Sequence, residues 1–213
     1  MSDQAQDRIE ALEARVLRLE ATLAIERLQY IYGYYLDNRM WDAIVALFAE
    51  DGEVEIGRRG VYRGTEQLRT FFHEVLGGGR AGRGRNELHN HIQMQGVVTL
   101  SEPPVHALGR FRALAQFAMT LADGSPGYGW AEGVYENEYV LRADAWRLRV
   151  VRWVPSFYGS LPPEAVAAGR PSAPASQRFE PSAPPTYAQD QTGSWALPFH
   201  YPHPITGGKP PIG

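Results

Sequence analysis

The order of the apolar patterns along the chain constrains its fold more than any other feature. From Gln4 to about Tyr35 there is no proline, and apolar residues recur at helical spacing. Later in the chain, four consecutive runs have the length and alternation of strands. Helices followed by an uninterrupted series of strands are typical of an α+β fold. The four predicted strands are 86–100, 106–121, 127–142 and 145–154.

Two shorter helices are predicted between the first helix and these strands. MWDAIVALFAEDG predicts a helix over 41–49 that Gly52 closes, and EVEIGRRGVYRG predicts a strand and a turn. TEQLRTFFHEVLGGG predicts a helix over 65–76 with Thr65 as its N-cap and glycines at its end. We therefore expect N-terminal helices to cover one face of a strongly curved antiparallel sheet. Such a cone encloses a pocket of the kind that binds small molecules.

The C-terminal part differs in composition from the rest of the chain. Residues from about Ser160 to Gly213 contain 12 of the 16 prolines, and their apolar residues have no period. The same segment is rich in aromatic residues for a disordered tail. We therefore predict a domain over 1–159 and an extended Pro-rich arm over 160–213 that docks on the domain or on a neighbouring subunit. A lid over the pocket is the alternative; the aromatic residues are Tyr187, Trp195, Phe199 and Tyr201.

The first helix carries a short heptad seam with Glu and Arg between its apolar members. Its spacing of 3-4-3-4 indicates a helix that packs either on its own domain or on a partner subunit. Together with the aromatic arm, the seam predicts a homo-oligomer, a homodimer as the first choice and a trimer as the second. The seam consists of Ile9, Leu12, Val16, Leu19 and Leu23.

Composition and charge exclude several classes of function. A net charge of −3 gives no basic surface for nucleic acid, and the absence of cysteine removes disulfides and cysteine metal sites. No run of about 18 apolar residues suggests a membrane span. The N-terminal MSDQAQDRIEALEARV lacks the apolar core of a signal peptide. The sequence thus predicts a soluble cytoplasmic protein that binds neither nucleic acid nor membranes.

One long stretch resembles the opening of SnoaL-like proteins of the NTF2-like superfamily: ERLQYIYGYYLDNRMWDAIVALFAEDGEVEIGRRGVYRGTEQLRTFF. The resemblance continues through HNHIQMQGVVTL, ALGRF and VYENEYVLRADAWRLRVVRWV, and it covers about residues 20–155. It implies an NTF2-like cone. The superfamily includes scytalone dehydratase, ketosteroid isomerase, limonene epoxide hydrolase, polyketide cyclases and lyases that release formaldehyde from lignin-derived diaryl compounds. It also includes binding modules, so the resemblance implies the fold more strongly than the reaction.

Within this resemblance, LDNRMWD is similar to the Asp-x-Lys-x-Trp-Asp region of scytalone dehydratase, whose aspartate faces the pocket. The similarity implies that Asp37 is the pocket carboxylate, whereas a helix-capping aspartate is the structural alternative. The preceding tyrosine of that enzyme is Leu36 here. Tyr30 and Tyr34 share one helical face and could supply a phenol instead. Trp41, in the same motif, is predicted to contact the substrate.

The second landmark of the family is a histidine in the context HIQMQGVVTL, which implies a functional His91. On a strand, His89 and His91 point to the same face, which is either exposed or lines a polar cavity. Imidazole exchanges protons near neutral pH. We therefore predict His91 as a catalytic residue and His89 as a substrate contact. A metal site that His73 or Glu87 would complete is an alternative use of the histidine pair.

The run GYGWAEGVYENEYVL predicts two further contacts. Its less charged face carries Tyr135, Asn137 and Tyr139, and this face is the better candidate to point inward. We predict Tyr135 and Asn137 as hydrogen-bond donors to substrate oxygens. Plain core packing is the alternative for Tyr135.

Asp37 and His91, without a nucleophilic Ser or Cys motif, suit elimination or isomerisation. The segment GGGRAGRGR lacks phosphate-loop and dinucleotide spacing, so no cofactor and no metal are predicted. The sequence thus predicts a cofactor-independent lyase that removes water or formaldehyde from a small, hydrophobic, hydroxylated aromatic compound. Asp37, His91 and Tyr34 are its predicted catalytic residues. An isomerase or cyclase of the same fold, or a non-catalytic ligand-binding or assembly module, is the alternative.

Overall fold

The computed structural model describes residues 3–85, 87–121, 124–161, 183 and 202–209. Helices come first and strands follow, as the sequence predicts. The helices are α1 (Asp3–Asp37), α2 (Trp41–Val45) and α3 (Gly64–Thr70), and α3 continues as a π-helical segment over Phe71–Leu76. The strands are β1 (Phe48–Ile56), β2 (Val61–Arg63), β3 (Leu88–Leu100), β4 (His106–Thr120), β5 (Pro126–Arg142) and β6 (Ala145–Leu161).

The six strands form one curved, unclosed sheet in the order β2-β1-β6-β5-β4-β3. Neighbouring strands are antiparallel except β1 and β6, which are parallel. The register shifts between Met94 and Val97 in β3 and between Glu132 and Gly133 in β5. Such bulges bend long strands and increase their twist. The prediction of helices on a curved antiparallel sheet is confirmed except for the parallel pair of β1 and β6, and the arrangement is that of an NTF2-like cone.

The core lies between α1 and the inner face of the sheet. Alternation along β5 places Ala131, Tyr135 and Tyr139 inward, each at most 2 % exposed. Full burial of a large apolar side chain stabilises a fold by about 1.5–3 kcal/mol, so this face holds α1 firmly against the sheet. Among the described residues, no helix has the length and apolar character of a membrane span.

Two predicted element boundaries are wrong. The second helix ends at Val45 rather than at 49, and Gly52 lies inside β1 instead of closing a helix. The reason is tertiary pairing: Phe48 lies opposite Leu148 of β6, and Leu148 donates a backbone hydrogen bond to Leu47 at 3.0 Å. Pairing across the sheet overrides the helical preference of the local sequence.

The other two boundary corrections concern α3 and β6. Arg63, with extended backbone, precedes the first turn of α3, so Thr65 is a helical residue and not the N-cap. The last strand continues to Leu161, beyond the predicted end at 154, because its outer half still pairs with β5 up to Tyr128. Pairing with the long strand β5 thus extends β6 beyond the end that the alternation of apolar and polar residues in β6 predicts.

A short part of the predicted arm, residues 202–209, contacts the domain. The His203 side chain is buried, its Nε2 lies 2.9 Å from the carbonyl oxygen of Ala43, and its ring stacks on Tyr35 with centroids 5.6 Å apart. Residue 183 apart, the arm between 162 and 201 lies outside the described residues, so its use as a lid or a strap stays a prediction. The four aromatic residues Tyr187, Trp195, Phe199 and Tyr201 belong to that undescribed part.

Candidate active site

Helix α1 brings Asp37 to strand β3. Gly33, one turn before Asp37, lies where the helix crosses the strand, and a Cβ atom there would clash with the Gln93 side chain. Gln29, one further turn back, donates a hydrogen bond of 2.5 Å to Gln93. The missing side chain at Gly33 therefore leaves room for the Gln93 side chain against the helix, and the last turn of α1 ends beside His91.

Asp37 and His91 form a close pair. The Asp37 Oδ1 accepts the backbone N–H of His91 at 2.8 Å and lies 2.7 Å from its Nδ1. The two side chains are 18 % and 14 % exposed, respectively. An ionised carboxylate can only accept, so the Nδ1 carries the proton in this contact, and in the neutral imidazole the lone pair is then on Nε2. The predicted contact is present, and Asp37 therefore does more than cap a helix.

A large cavity of about 1000 Å³ opens beside this pair, and His91 lines it. Several aromatic side chains contribute to the wall, which suits a flat hydrophobic ligand. The sequence prediction placed Trp41 and Tyr135 at the pocket, and both contribute to this wall. The aromatic wall includes Tyr32, Trp41, Phe117, Trp130, Tyr135 and Trp153.

His89 also lines the cavity, two residues before His91 on the same strand. Both imidazole rings contact Phe117 edge-on, with centroid distances of 6.1 and 5.6 Å. Burial, followed by the nearby positive charge of Arg39, lowers the pKa of His89 to about 4. His89 is therefore neutral at pH 7 and offers an uncharged donor or acceptor to a ligand.

Arg39, two residues after Asp37, fastens the glycine-rich segment 77–87 to the end of α1. It is buried, its Nη2 donates to the carbonyl oxygens of Gly77 at 2.5 Å and Arg80 at 3.3 Å, and its Nη1 donates to Glu87 at 3.4 Å. Trp41 donates from Nε1 to the same Arg80 carbonyl at 2.9 Å. The sequence analysis did not predict this role of Arg39. The position of a basic residue between Asp37 and Trp41 in LDNRMWD could have indicated it.

Glu87 receives the other contacts of this segment. It accepts the Gly84 N–H at 2.6 Å and a close ion pair from Arg80, besides Arg39. Burial alone would raise the pKa of Glu87, but hydrogen bonds from Arg80 and Gly84, together with the charges of Arg80 and Arg39, outweigh it and lower that pKa. Burial lowers the pKa of the neighbouring Arg83, and the Asp37 carboxylate opposes that change. Besides the effect of burial, Arg39 and Arg83 both lie near enough to His89 to lower its pKa, and the carboxylate of Glu87 opposes them.

Two buried tyrosines that line the cavity pack edge-to-face against each other. The rings of Tyr32 and Tyr135 are 6.0 Å apart and nearly perpendicular, and burial raises the pKa of both phenols. Both therefore stay protonated and can donate. Within the described part of the chain, the Tyr32 hydroxyl has no hydrogen-bond partner of normal geometry, although Tyr135 is near enough to influence its pKa. Sequence reasoning identified Tyr135 and missed Tyr32.

The predicted placement of Tyr30 and Tyr34 at the pocket is wrong. They share one helical face, but that face points away from the cavity, and the two residues are 42 % and 57 % exposed. The buried face of α1 passes instead through Leu28, Tyr32 and Tyr35. Spacing of four residues fixes which side chains share a face, but not which face meets the sheet. Tyr34 is therefore not retained as a catalytic candidate.

Asn137, predicted as a substrate contact, is buried and is not among the residues that line the cavity. Its Nδ2 donates to Gln29 at 2.8 Å and to the Tyr139 hydroxyl at 3.3 Å, and its Oδ1 accepts the Arg152 N–H at 3.0 Å. With these groups engaged, Asn137 joins α1 to the sheet, as buried polar side chains usually do.

The residues named for an alternative metal site serve other contacts. His73 lies at the surface, where its Nε2 is 3.1 Å from Asp42, and Glu87 is engaged by Arg39 and Arg80. Across the described ranges, no group of three His, Asp or Glu side chains has an arrangement that could hold a metal ion.

Known proteins with this fold include elimination enzymes by name. A scytalone dehydratase-like protein from Novosphingobium aromaticivorans is 20 % identical with a TM-score of 0.56, covering 78 % of this chain and 99 % of its own. The hexachlorocyclohexane dehydrochlorinase LinA-type3 from Novosphingobium barchaimii is 19 % identical with a TM-score of 0.59, covering 72 % and 97 %. ActVI-ORFA from Streptomyces coelicolor is 14 % identical with a TM-score of 0.51, covering 63 % and 96 %. At such identities, these similarities establish the fold alone.

Sequence comparison is more specific about the family. No curated protein matches the chain significantly. The sequence profile of the SnoaL-like domain, however, matches residues 17–152, which include α1 from its middle onward, most of the cavity lining and the whole sheet except the end of β6. The chain therefore belongs to the SnoaL-like domain family, in the NTF2-like superfamily.

Proposed function

We propose that this protein is a cofactor-independent lyase that eliminates water or formaldehyde from a small, hydrophobic, hydroxylated aromatic compound. One observation carries the proposal: the Asp37–His91 pair lies at the wall of an aromatic cavity of about 1000 Å³. A base held by a carboxylate, beside a surface suited to aromatic rings, is what such an elimination requires.

In the proposed reaction, the His91 Nε2 removes a proton from the substrate. For dehydration, a C–H proton is taken, its electron pair forms the new C=C bond, and the hydroxyl on the adjacent carbon leaves as water after receiving a proton. For loss of formaldehyde, the proton comes from a CH₂OH group, whose C–C bond breaks. That electron pair forms the C=C bond and expels the neighbouring hydroxyl, so formaldehyde and water both leave. Asp37 stabilises the imidazolium that forms.

The leaving oxygen needs a proton donor on the cavity wall. Tyr135 and Tyr32 are protonated because burial raises the pKa of each. His89 is neutral, with a pKa of about 4, and can donate or accept without adding a charge. One basic group and several neutral donors around one cavity suit an elimination, in which one group removes a proton while another assists the leaving group.

The names of the structural neighbours agree with this reaction class. A dehydratase-like protein and a dehydrochlorinase share the fold, and both names denote eliminations. Those names describe those proteins, and here they only support the choice of elimination over isomerisation.

The proposal is tested by incubating the purified protein with a panel of one-ring and two-ring aryl alcohols. Products are followed by chromatography with mass detection and by an assay for released formaldehyde. We expect loss of water, or of water with formaldehyde, for at least one member of the panel, and its abolition in His91→Ala. His73→Ala is the matched control, because His73 also contacts an aspartate but lies at the surface. Products of unchanged mass, or a His91→Ala protein with full activity, would overturn the proposal. Panel compounds that raise the melting temperature of the protein but are not converted would also overturn it, because the protein would then bind such compounds without catalysis.

A further inference from the structure

The first half of α1 carries an apolar stripe that its own domain does not cover. Ile9, Leu12, Val16, Leu19 and Leu23 are between 38 % and 64 % exposed. None of the described residues before Ala21 is buried. Exposed apolar residues at heptad spacing are unfavourable in water unless a partner covers them.

The domain contacts a different face of the same helix. With Ile9 at position a of the heptad, the buried residues Ala21, Ile25 and Leu28 occupy positions f, c and f. Arg18, at position c, forms an ion pair of 2.8 Å with Glu102 of the domain. The a and d positions therefore point away from the domain, and α1 has two separate apolar seams.

The residue types along the exposed seam indicate how many helices pack together and in which orientation. Positions a hold Ile9, Val16 and Leu23, the first two of them β-branched, and positions d hold Leu12 and Leu19. β-Branched residues at a with leucine at d favour two parallel helices over higher oligomers. The side-chain shapes of this seam therefore favour a parallel pair.

The charges that flank the seam specify a second copy of the same chain. Positions g are basic, Arg8 and Arg15, and positions e are acidic, Glu13 and Glu20. In a parallel, in-register pair, each g residue meets the e residue of the next heptad on the other chain, so Arg8 faces Glu13 of the partner subunit. An antiparallel pair would instead place arginine against arginine and glutamate against glutamate. Within the described ranges, none of these four side chains forms an ion pair.

We propose that residues 9–23 of α1 form a parallel, in-register, two-stranded coiled coil with a second copy of this chain. The exposed stripe forms the seam, Arg8 and Arg15 pair with glutamates of the partner subunit, and the c and f face remains on the domain. The proposal concerns assembly and is independent of the chemistry in the cavity.

A single introduced cysteine tests the register. The chain has no cysteine, so Leu19→Cys supplies the only thiol, at a d position that faces its own counterpart in the proposed pair. We expect a disulfide-linked dimer under mild oxidation. Leu17→Cys is the matched control, because Leu17 is also exposed, at 58 %, but occupies position b outside the seam. A Leu19→Cys protein that links no better than Leu17→Cys would overturn the proposal.

Charge reversal tests the orientation. In the double variant Glu13→Lys, Glu20→Lys, all four side chains that flank the seam are positively charged. In the double variant Arg8→Glu, Arg15→Glu, all four are negatively charged. Each double variant should be monomeric at concentrations at which the wild type is a dimer, and an equimolar mixture should restore dimers. Unchanged dimers in both variants would contradict the parallel orientation, since an antiparallel pair already opposes like charges.

Sedimentation tests the seam itself. Leu12→Asp with Leu19→Asp should raise the dissociation constant of the dimer at least about 100-fold, because charge would be buried in the seam. Leu17→Asp should leave the constant unchanged. Circular dichroism and cavity-ligand binding verify that the variant domain is folded. A wild-type monomer at micromolar concentration, a trimer, or a Leu12→Asp, Leu19→Asp protein that stays dimeric would each overturn the proposal.

Discussion

At the scale of single residues, surroundings give the same pair of side-chain types different roles. Asp37 contacts His91 at 2.7 Å with 18 % of the carboxylate side chain exposed, whereas Asp42 contacts His73 at 3.1 Å with 71 % exposed. Water screens the second pair, and exposed ion pairs contribute little to stability. His91 of the first pair lines the cavity of about 1000 Å³, whereas neither Asp42 nor His73 does, so the imidazole held by Asp37 is the one placed to act on a molecule bound there.

The first prediction concerns this pair. Asp37→Asn and His91→Ala should each lower turnover by about 10²–10⁴-fold, the usual effect of removing a general base or its partner. The double variant should be hardly worse than the worse single variant, because the two residues act as a unit. Initial rates on the substrate found in the panel provide the measurement. Asp42→Asn is the control and should retain full activity; additive losses in the double variant would contradict coupling.

The second prediction concerns the pH dependence of stability through His89. Its pKa of about 4 in the folded protein lies below the value of about 6.5 in an unfolded chain. The unfolded state therefore binds more protons between these values, and the free energy of unfolding falls as pH decreases from about 6.5 towards 4. His89→Gln should make that decrease shallower in urea titrations at pH 7, 6, 5 and 4. An identical pH slope in wild type and His89→Gln would refute the assignment.

At the scale of elements, the site depends on how segment 77–87 is attached to the end of α1. Two backbone carbonyls and Glu87 accept hydrogen bonds from Arg39, and Arg39 itself has a left-handed backbone with φ of 55°. Segment 77–87 leads directly into β3, which carries both histidines. The attachment of this loop therefore influences where β3 begins relative to Asp37.

The third prediction follows from that attachment. Arg39→Gln should lower the free energy of unfolding by about 1.5–3 kcal/mol, the range for hydrogen bonds that involve charged groups. Arg39→Lys should recover only part of this loss, because an ammonium cannot reproduce the forked geometry of a guanidinium. Urea unfolding measures both. Arg58→Gln, at an exposed turn, is the control and should change little; an Arg39→Gln protein of wild-type stability would show that the loop is held by other contacts.

At the scale of the whole molecule, a residue from the distant C-terminal arm completes the packing beside α2. The Nδ1 of His203 accepts the backbone N–H groups of Ile205 and Thr206, at 3.1 and 3.2 Å, so its Nε2 carries the proton and donates to Ala43. Burial lowers the pKa of His203, which favours this neutral form. A sequence-distant imidazole thus connects the arm to the domain.

The fourth prediction concerns this contact. His203→Ala should lower the free energy of unfolding by about 1–3 kcal/mol, because the Ala43 carbonyl loses its donor and Tyr35 loses its stacking partner. Thermal unfolding at pH 7.5 measures the loss, with the surface substitution His106→Ala as the control. Deletion of 162–213 should destabilise the protein at least as much. A truncated protein as stable as the full chain would show that the arm contributes nothing through His203.

The sequence by itself determined the class and order of the elements. Heptad spacing, strand alternation and glycine positions depend on near neighbours, so they predicted α1, the four long strands and the inward face of β5 without knowledge of the fold. The resemblance to SnoaL-like proteins directed attention to Asp37 and His91. Local spacing also grouped Tyr30 with Tyr34 correctly on one face.

Only the tertiary structure decided which face and which end of each element meets another. The rotation of α1 on the sheet selected Tyr32 over Tyr34, and of two equally buried residues on β5, Tyr135 lines the cavity and Asn137 does not. Parallel pairing with β6 converted the end of a predicted helix into β1. These outcomes depend on contacts between residues far apart in sequence, and local periodicity carries no information about such contacts.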